Sequence, residues 1–267
     1  MFPLSVLKIL FFFSAWLALW IPIAIPLTHK INYQFPQIPT LEQKLILVVS
    51  LYTFAPIILG LMIKWDNQSW LSIGWQWQLK ELVLFAQGLI LALSSIIIIF
   101  ALEFATGLIN WQGKNSSGLL ALILPVFFLG SGISWVEELI FRGFLINQLM
   151  ADFPLWGSAI ASSTIFALLH LVWERQKTIP QLPGLWLMGM VLIAARILVG
   201  GDLALAWGLH TGWILGLSCV DGAELIDYNT DHKNWLTGID RQPLAGVFGI
   251  LGLSIVGCWL LVVGFNY

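Results

Sequence analysis

Three ionisable side chains share a short apolar stretch of this chain: Glu137, Glu138 and Arg142 lie between the uncharged runs 118–136 and 143–146. A charged side chain in such a segment is rare and usually faces a bundle interior or a wet cavity. On a helix, Glu138 and Arg142 are four residues apart with the acid N-terminal, which favours a salt bridge on one face. Glu137 points about 100° away and has no basic neighbour in its own segment. It can serve as a general base if another segment supplies its partner.

Two histidines in other apolar segments are the candidate partners of Glu137. His170 and His210 lie deep within predicted spans, whereas His29 and His232 lie in loops. One glutamate and two histidines from three spans match the ligand set of a hydrolytic zinc site. They equally match a carboxylate base with hydrogen-bond donors for an oxyanion. The spacing H-E-x-x-H, which favours zinc, is absent, so a divalent metal such as zinc and a metal-free mechanism stay equally open.

The overall composition is that of a membrane protein. Of 267 residues, 59% are hydrophobic and 10% are charged, against about 25% charged residues in an average soluble domain. We therefore expect an integral, multi-pass membrane protein whose partners are lipid and protein. The net charge of −2 argues against nucleic acid, which is bound by clustered Lys and Arg. Cys219 and Cys258 lack C-x-x-C spacing and indicate neither a disulfide framework nor a thiolate zinc site.

Apolar runs of membrane-spanning length recur along the chain. A bilayer core needs roughly 20 apolar residues per helix, and the runs are uniformly apolar, which favours helices over strands. The predicted fold is an all-α, multi-pass transmembrane bundle of about eight helices. The predicted spans are Pro3–Leu27, Leu45–Ile63, Leu82–Phe104, Gly118–Ile146, Pro154–Trp173, Leu182–Val199, Leu203–Val220 and Leu244–Phe265.

The spans divide the chain into three parts. Residues 1–117 hold the N-terminal transmembrane helices, the first of which is expected to be a retained helix, and a Trp-rich interfacial segment, Lys64–Lys80. Residues 118–220 hold the core helices with the candidate site. Residues 221–267 hold a polar loop and a C-terminal transmembrane helix. The loop can either face water or cover a cavity mouth, and its acidic residues are Asp221, Glu224, Asp227, Asp231 and Asp240.

Two motifs on successive core segments have the spacing of a known membrane family. Glu137-Glu138 with Arg142 matches the pattern E-E-x-x-x-R. Phe166 with His170 matches the pattern F-x-x-x-H. Each motif alone is weak, but their order and their placement in membrane spans make the combination specific.

A third motif is present in part. The family pattern is H-x-x-x-N or H-x-x-x-D, and His210 supplies its histidine, whereas Ile214 occupies the position of the Asn or Asp. Over residues 118–220 the chain resembles the CPBP family of intramembrane metalloproteases. This family comprises CAAX proteases, bacteriocin-processing enzymes and abortive-infection proteins, and the resemblance is to its type II CAAX prenyl endopeptidases. Thr211, Trp207 or a water are the groups that can replace the Asn or Asp.

The resemblance implies a role for each matched residue. Glu137 and His170 would activate the attacking water, and His210 would stabilise the oxyanion. Glu138 with Arg142 would organise the site. Loss of one oxyanion donor typically costs about a hundredfold or more in rate, so the residue that replaces the Asn or Asp bears directly on activity.

The leading hypothesis is an intramembrane endopeptidase that hydrolyses a peptide bond with a Glu-activated water in a cavity within the bundle. Its partners would be membrane lipid and a peptide or membrane-protein substrate. A first alternative is a catalytically weak or inactive CPBP-like scaffold that binds or assembles another membrane protein, which Ile214 and the acidic loop motivate. A second is a transporter that uses Glu137, His170 and His210 as a proton or cation relay, although no inverted repeat supports it.

Overall fold

The structure is a computed structural model that describes residues 3–112, 116–229 and 234–264. The fold is 80% helical, which confirms the predicted all-α bundle. Asp231 and His232 of the predicted loop, and Phe265 at the end of the last predicted span, lie outside the described residues. The α-helices are α1 (Leu4–Lys30), α2 (Leu41–Trp65), α3 (Leu79–Ala105), α4 (Ser116–Glu137), α5 (Ile146–Met150), α6 (Leu155–Leu169), α7 (Leu171–Thr178), α8 (Leu182–Leu198), α9 (Ala204–Gly222) and α10 (Val247–Gly264).

Membrane-spanning helices dominate the described parts of the chain. Five helical stretches there are long and apolar enough to cross a membrane, and two shorter apolar helices accompany them. The protein is therefore an integral, multi-pass membrane protein, as the composition predicts. The five long stretches are Leu4–Lys30, Leu41–Trp65, Leu79–Ala105, Gly118–Met150 and Leu171–Leu198, and the two shorter ones are Leu155–Leu169 and Val247–Val263.

One predicted span, Pro154–Trp173, is interrupted in the structure. The chain turns at His170, which caps the C-terminus of α6 and separates it from α7. Within α7 the backbone of Glu174 leaves the helical conformation, with φ −139° and ψ 62°. Its carboxylate pairs with Lys44 of α2 at 3.1 Å. Helix α6 ends at Leu169, inside the predicted span, so the prediction of one unbroken helix was wrong.

Helix α9 packs against α3, α4 and α8 and is largely buried. Its contact with the parallel helix α3 is an approach of backbone to backbone. A Cβ on Gly208 would lie 2.0 Å from the carbonyl oxygen of Phe85, and a Cβ on Gly88 would lie 2.3 Å from that of Leu205. Small residues let membrane helices approach this closely. The two glycines thus fix the position of α9, and with it His210, relative to α3.

Gly208→Ala is expected to lower the thermal unfolding midpoint of the detergent-solubilised protein. Overpacking typically costs about 1–3 kcal/mol, and here the added methyl meets backbone atoms that cannot rotate away. Gly132→Ala on α4 is the matched control, because a Cβ there meets nothing within 4 Å. The control should keep or slightly raise the midpoint, since Ala is the better helix former. Equal midpoints for the two variants would contradict the close α3–α9 contact.

A small antiparallel pair of strands joins the ends of α3 and α9. Strand β1 (Ile109–Trp111) pairs with β2 (Ile226–Tyr228). Because α3 and α9 run parallel, the chain leaves both helices at the same end of the bundle, where the two following segments meet. This pairing holds the start of the polar loop against the bundle.

The predicted interfacial segment between α2 and α3 is only partly at the surface. Trp77 is exposed, as expected for a ring at an interface. Trp75 is buried, with its ring against those of Trp135 on α4 and Trp207 on α9. The interpretation of the whole segment as lying on the membrane surface is therefore corrected at Trp75, which packs into the bundle.

Candidate active site

The motif that opens with Glu137 and Glu138 coincides with a change of helix type. Helix α4 continues directly into a π-helix, Glu138–Leu145, and every residue of this π-helix is buried. π-Helical turns have i→i+5 hydrogen bonds and occur frequently at functional sites. The sequence pattern predicts an ordinary α-helix here, so the π-helix is a correction. It holds Glu138 and Arg142 inside the bundle.

Glu138 has two partners in the core. Arg142 Nη1 donates to Glu138 Oε1 at 3.1 Å, which is the i,i+4 pair that the spacing predicts. The same oxygen lies 2.8 Å from His210 Nδ1 on α9. These side chains are at most 3% exposed. Because an ionised carboxylate only accepts, His210 Nδ1 donates this bond, and its Nε2 is left to face another group.

Glu137 lies between His210 and a tyrosine. His210 Nε2 is 3.5 Å from Glu137 Oε2. On the other side, the hydroxyl of Tyr52 on α2 donates a short hydrogen bond to Glu137 Oε1. A proton on either His210 Nε2 or Glu137 Oε2 makes the contact between these two atoms favourable. The sequence predicts that Glu137 needs a partner from another segment, and the structure supplies two.

The buried charges of the site can balance one another. Two carboxylates, Glu137 and Glu138, face the guanidinium of Arg142 and the ring of His210. A protonated imidazole makes the cluster neutral, which avoids the cost of an uncompensated charge in the core. The guanidinium carbon of Arg142 also lies 4.2 Å from the centre of the Phe166 ring. This cation–π contact stabilises a cation that is fully buried.

His170 lies apart from the glutamates. Its Nδ1 is 2.9 Å from the backbone oxygen of Phe166, and because a carbonyl oxygen only accepts, Nδ1 donates this bond. The ring packs edge-on against Phe166 at a centroid distance of 4.7 Å, and Phe166 contacts the His210 ring at 5.9 Å. Across the described residues, no hydrogen bond or ion pair joins His170 to Glu137 or Glu138. Phe166 is the residue that the two histidines share.

Ile214 packs within the seam between α9 and the antiparallel helix α4. A Cβ on Gly130 would lie 2.8 Å from its Cγ2 atom. Gly130 precedes Glu137 by about two helical turns, roughly 10 Å along the axis. The apolar side chain therefore fills the seam away from the Glu137 carboxylate.

The polar neighbours of His210 on α9 are engaged by α4. The hydroxyl of Thr211 lies 2.7 Å from that of Ser134. Trp207 Nε1 donates to the backbone oxygen of Ser131 at 2.8 Å. Both side chains hold the two helices together, so neither stands in for the Asn or Asp of the third motif.

An apolar groove on the outer surface of α2 and α4 leads to Tyr52. Its volume is about 450 Å³. Tyr52 and Val136 lie in its wall, and Val136 directly precedes Glu137. The other lining residues are Val49, Thr53, Pro56, Phe128, Leu129, Gly132, Ile133 and Trp135.

A larger polar cavity, of about 1030 Å³, lies where α9 ends. Part of the acidic loop lines it, which is one of the two alternatives that the sequence leaves open. Burial raises the pKa of Tyr228 in its wall, and the charges of Glu103 and Asp221 add to the shift. Leu217 and Ser218 of its lining follow His210 by about two turns of α9. Its charged lining residues are Lys44, Glu174, Lys177, Asp221, Glu224, Asp227 and Arg241.

The donor geometry does not fit a metal centre. Among the residues that the structure describes, no three His, Cys, Asp or Glu side chains are grouped so as to hold a metal ion. His210 directs Nδ1 to Glu138, and Glu138 is already paired with Arg142. A guanidinium next to the carboxylate disfavours a second cation at the same oxygens.

Tyr52 is the site residue that sequence reasoning missed. Of the four tyrosines, it is the one inside a predicted span, since Tyr33 and Tyr228 lie in connections and Tyr267 ends the chain. A polar group within a membrane helix usually faces the bundle interior and finds a partner there. The single tyrosine of the second span was therefore the available signal.

The comparisons with known proteins bear on the core helices. Residues 116–215 match the family described as type II CAAX prenyl endopeptidase Rce1-like. No curated protein and no solved structure matches the chain. The matched range contains the two complete motifs and the partial third one, with Glu137 on α4, His170 after α6 and His210 on α9. Residues 116–215 of this membrane protein are therefore similar to the type II CAAX prenyl endopeptidase Rce1-like family, which supports the family prediction.

Proposed function

We propose that this protein is an intramembrane endopeptidase in which Glu137 activates a water for attack on a peptide bond. The observation that carries the proposal is the position of His210, whose two ring nitrogens face Glu138 Oε1 at 2.8 Å and Glu137 Oε2 at 3.5 Å. This arrangement fixes a carboxylate base next to a hydrogen-bond donor within a buried cluster. The pair is what hydrolysis with a general base and a stabilised oxyanion needs.

In the proposed reaction, Glu137 Oε2 takes a proton from the water as its oxygen bonds to the carbonyl carbon of the peptide. The carbonyl oxygen becomes an oxyanion, which His210 Nε2 stabilises by donating a hydrogen bond. Glu137 then passes its proton to the amide nitrogen, the C–N bond breaks, and the second water proton moves from the new carboxyl group to the amine, so that a carboxylate and an ammonium are released. No bond forms between the enzyme and the substrate.

Glu138 and Arg142 have a supporting role in this scheme. Glu138 accepts from His210 Nδ1 and so orients the ring with Nε2 toward Glu137. Arg142 neutralises Glu138 and packs on Phe166. Both are positioning residues, because they act through His210 and not on the reacting atoms.

The apolar groove and the polar cavity favour a substrate that lies at the membrane. The groove beside Tyr52 is apolar, whereas the cavity at the end of α9 is lined by charged side chains. A membrane-anchored peptide combines an apolar segment with a polar one in the same way. The proposed substrate is therefore a peptide or membrane-protein segment next to the bilayer.

His170→Ala is expected to abolish cleavage of a membrane-anchored peptide by protein reconstituted in liposomes. In the proposed scheme His170 helps Glu137 to bind the water, which is the role that the family resemblance implies for it, while its Nδ1 donates to Phe166. The expected loss is about a hundredfold or more. His29→Ala, at the exposed end of α1, is the control and should keep full activity. Cleavage at the normal rate by the His170 variant would remove this residue from the reaction.

A scaffold function is the second candidate, and the position of Ile214 favours it. Ile214 occupies the position at which the third motif has Asn or Asp, and its apolar side chain packs against Gly130. A protein that binds another membrane protein, without cleaving it, would need no polar group there. Co-purification of one stable partner in equal amount with the wild-type protein and with Glu137→Gln, and with no cleavage product, would support the scaffold over the protease.

A further inference from the structure

We propose that Tyr52 is a positioning residue for Glu137, a role that rests on the proposed hydrolysis and extends it to helix α2. Its hydroxyl holds one oxygen of the carboxylate and leaves the other toward His210. Tyr52 lies outside the matched range 116–215 and outside the three motifs. The contacts that place it come from α1, α2 and α4.

Contacts other than the one with Glu137 orient the Tyr52 side chain. Its ring lies against the indole of Trp16 on α1, with a centroid distance of 6.0 Å. That indole is itself fixed, because Trp16 Nε1 donates to the backbone oxygen of Leu51 at 2.7 Å. Phe12 continues the stack to the ring of Phe144 in the π-helix. Aromatic packing on α1 therefore directs the Tyr52 hydroxyl at the carboxylate.

The hydrogen bond decides which oxygen of Glu137 is available as the base. Tyr52 donates to Oε1, whereas Oε2 faces His210 Nε2. Rotation of the carboxylate would break both contacts, so the tyrosine and the histidine together hold Glu137 in one orientation. An oxygen without its donor in this buried place would keep its full desolvation cost. The hydroxyl thus pre-organises the base for the water proton.

Tyr52 also separates the apolar groove from the buried charges. The groove wall contains Tyr52 together with Val49, Thr53 and Pro56 of α2. The Tyr52 hydroxyl donates a hydrogen bond to Glu137, so the residue presents its ring to the groove and its polar end to the site. A group that enters by this groove meets the ring of Tyr52 before it meets Glu137.

Tyr52→Phe tests the proposal because it keeps the ring packing and removes only the hydroxyl. With a membrane-anchored peptide that the wild-type protein cleaves in liposomes, kcat should fall about 10- to 100-fold, as for a lost hydrogen bond to a charged group. KM should stay within about threefold, because the hydroxyl does not contact the groove wall. Tyr33→Phe, in the loop between α1 and α2, is the control and should leave both constants unchanged. A kcat within twofold of wild type for Tyr52→Phe, with Glu137→Gln inactive, would overturn the role of Tyr52 and leave the proposed protease standing.

Infrared difference spectra give a second readout that needs no substrate. The carboxylate band that disappears in Glu137→Gln should be displaced in Tyr52→Phe and unchanged in Tyr33→Phe, because only the first tyrosine donates to that carboxylate. An undisplaced band in Tyr52→Phe would overturn the proposal even for a protein that cleaves no peptide. A displaced band together with absent cleavage would support the contact and count against the protease instead.

Discussion

Glu137→Gln is expected to lower kcat by about 100- to 10,000-fold, the range that a general base contributes. Glutamine has nearly the same shape, and its side-chain oxygen can still accept from the Tyr52 hydroxyl. It cannot take a proton from water. The fold should therefore survive while the reaction is lost, which is measured as cleavage of a membrane-anchored peptide in liposomes and as an unchanged thermal unfolding midpoint.

Glu103→Gln is the matched control for this result. Glu103 is another glutamate buried in a membrane helix, at 1% exposure. It lies near the C-terminal end of α3, where α3 is followed by β1, and none of the hydrogen bonds and ion pairs of His210 among the described residues involves it. Its replacement should leave kcat within a few-fold of wild type. A protein that loses activity equally in both variants would show that any buried carboxylate matters, and a Glu137 variant with normal turnover would exclude this residue as the base.

Among the proposed variants, Arg142→Met is expected to lower the free energy of unfolding most. It removes the guanidinium that pairs directly with Glu138 and leaves His210 as the hydrogen-bond partner of that carboxylate. Removal of one partner from a buried ion pair typically costs about 3–5 kcal/mol. The loss includes the cation–π contact with Phe166. Thermal unfolding in detergent measures it as a fall of the midpoint.

Two further variants distinguish the stability cost of an unpaired buried charge from the cost of losing any cation. Lys177→Met removes a second, longer ion pair of Glu174, at 3.8 Å, but this lysine side chain is 57% exposed, so the cost should be about 1 kcal/mol or less. The double variant Glu138→Gln with Arg142→Met should recover part of the stability, because it leaves no unpaired charge on Glu138. A midpoint for Arg142→Met equal to that of Lys177→Met would contradict the buried pair.

The local part of the site could be predicted from the sequence. The four-residue spacing of Glu138 and Arg142 already implies a salt bridge on one helix face, and the structure contains it. The scarcity of polar residues in the spans also narrows the partners of Glu137, and His210 is one of those named. Both arguments depend on short-range helix geometry or on the high cost of an unpaired charge in a membrane segment.

The remaining features depend on how the helices pack, which residue spacing along one chain does not encode. The π-helix adds one residue to a turn without any sequence mark of its own. The Tyr52 contact joins residues 85 positions apart. The break at His170 is followed by an ion pair of Glu174 with Lys44 on α2, again a contact between distant segments. Contacts of this kind cannot be derived from residue spacing.

The measurement that tests the central claim most directly compares new peptide termini in membranes of cells that produce the wild-type protein or Glu137→Gln. Mass spectrometry in water enriched with ¹⁸O identifies each new carboxyl terminus and the origin of its added oxygen. The proposed mechanism predicts termini that appear only with the wild-type protein and carry one oxygen from water. Identical sets of termini from the two proteins would contradict a protease that uses Glu137 as its base.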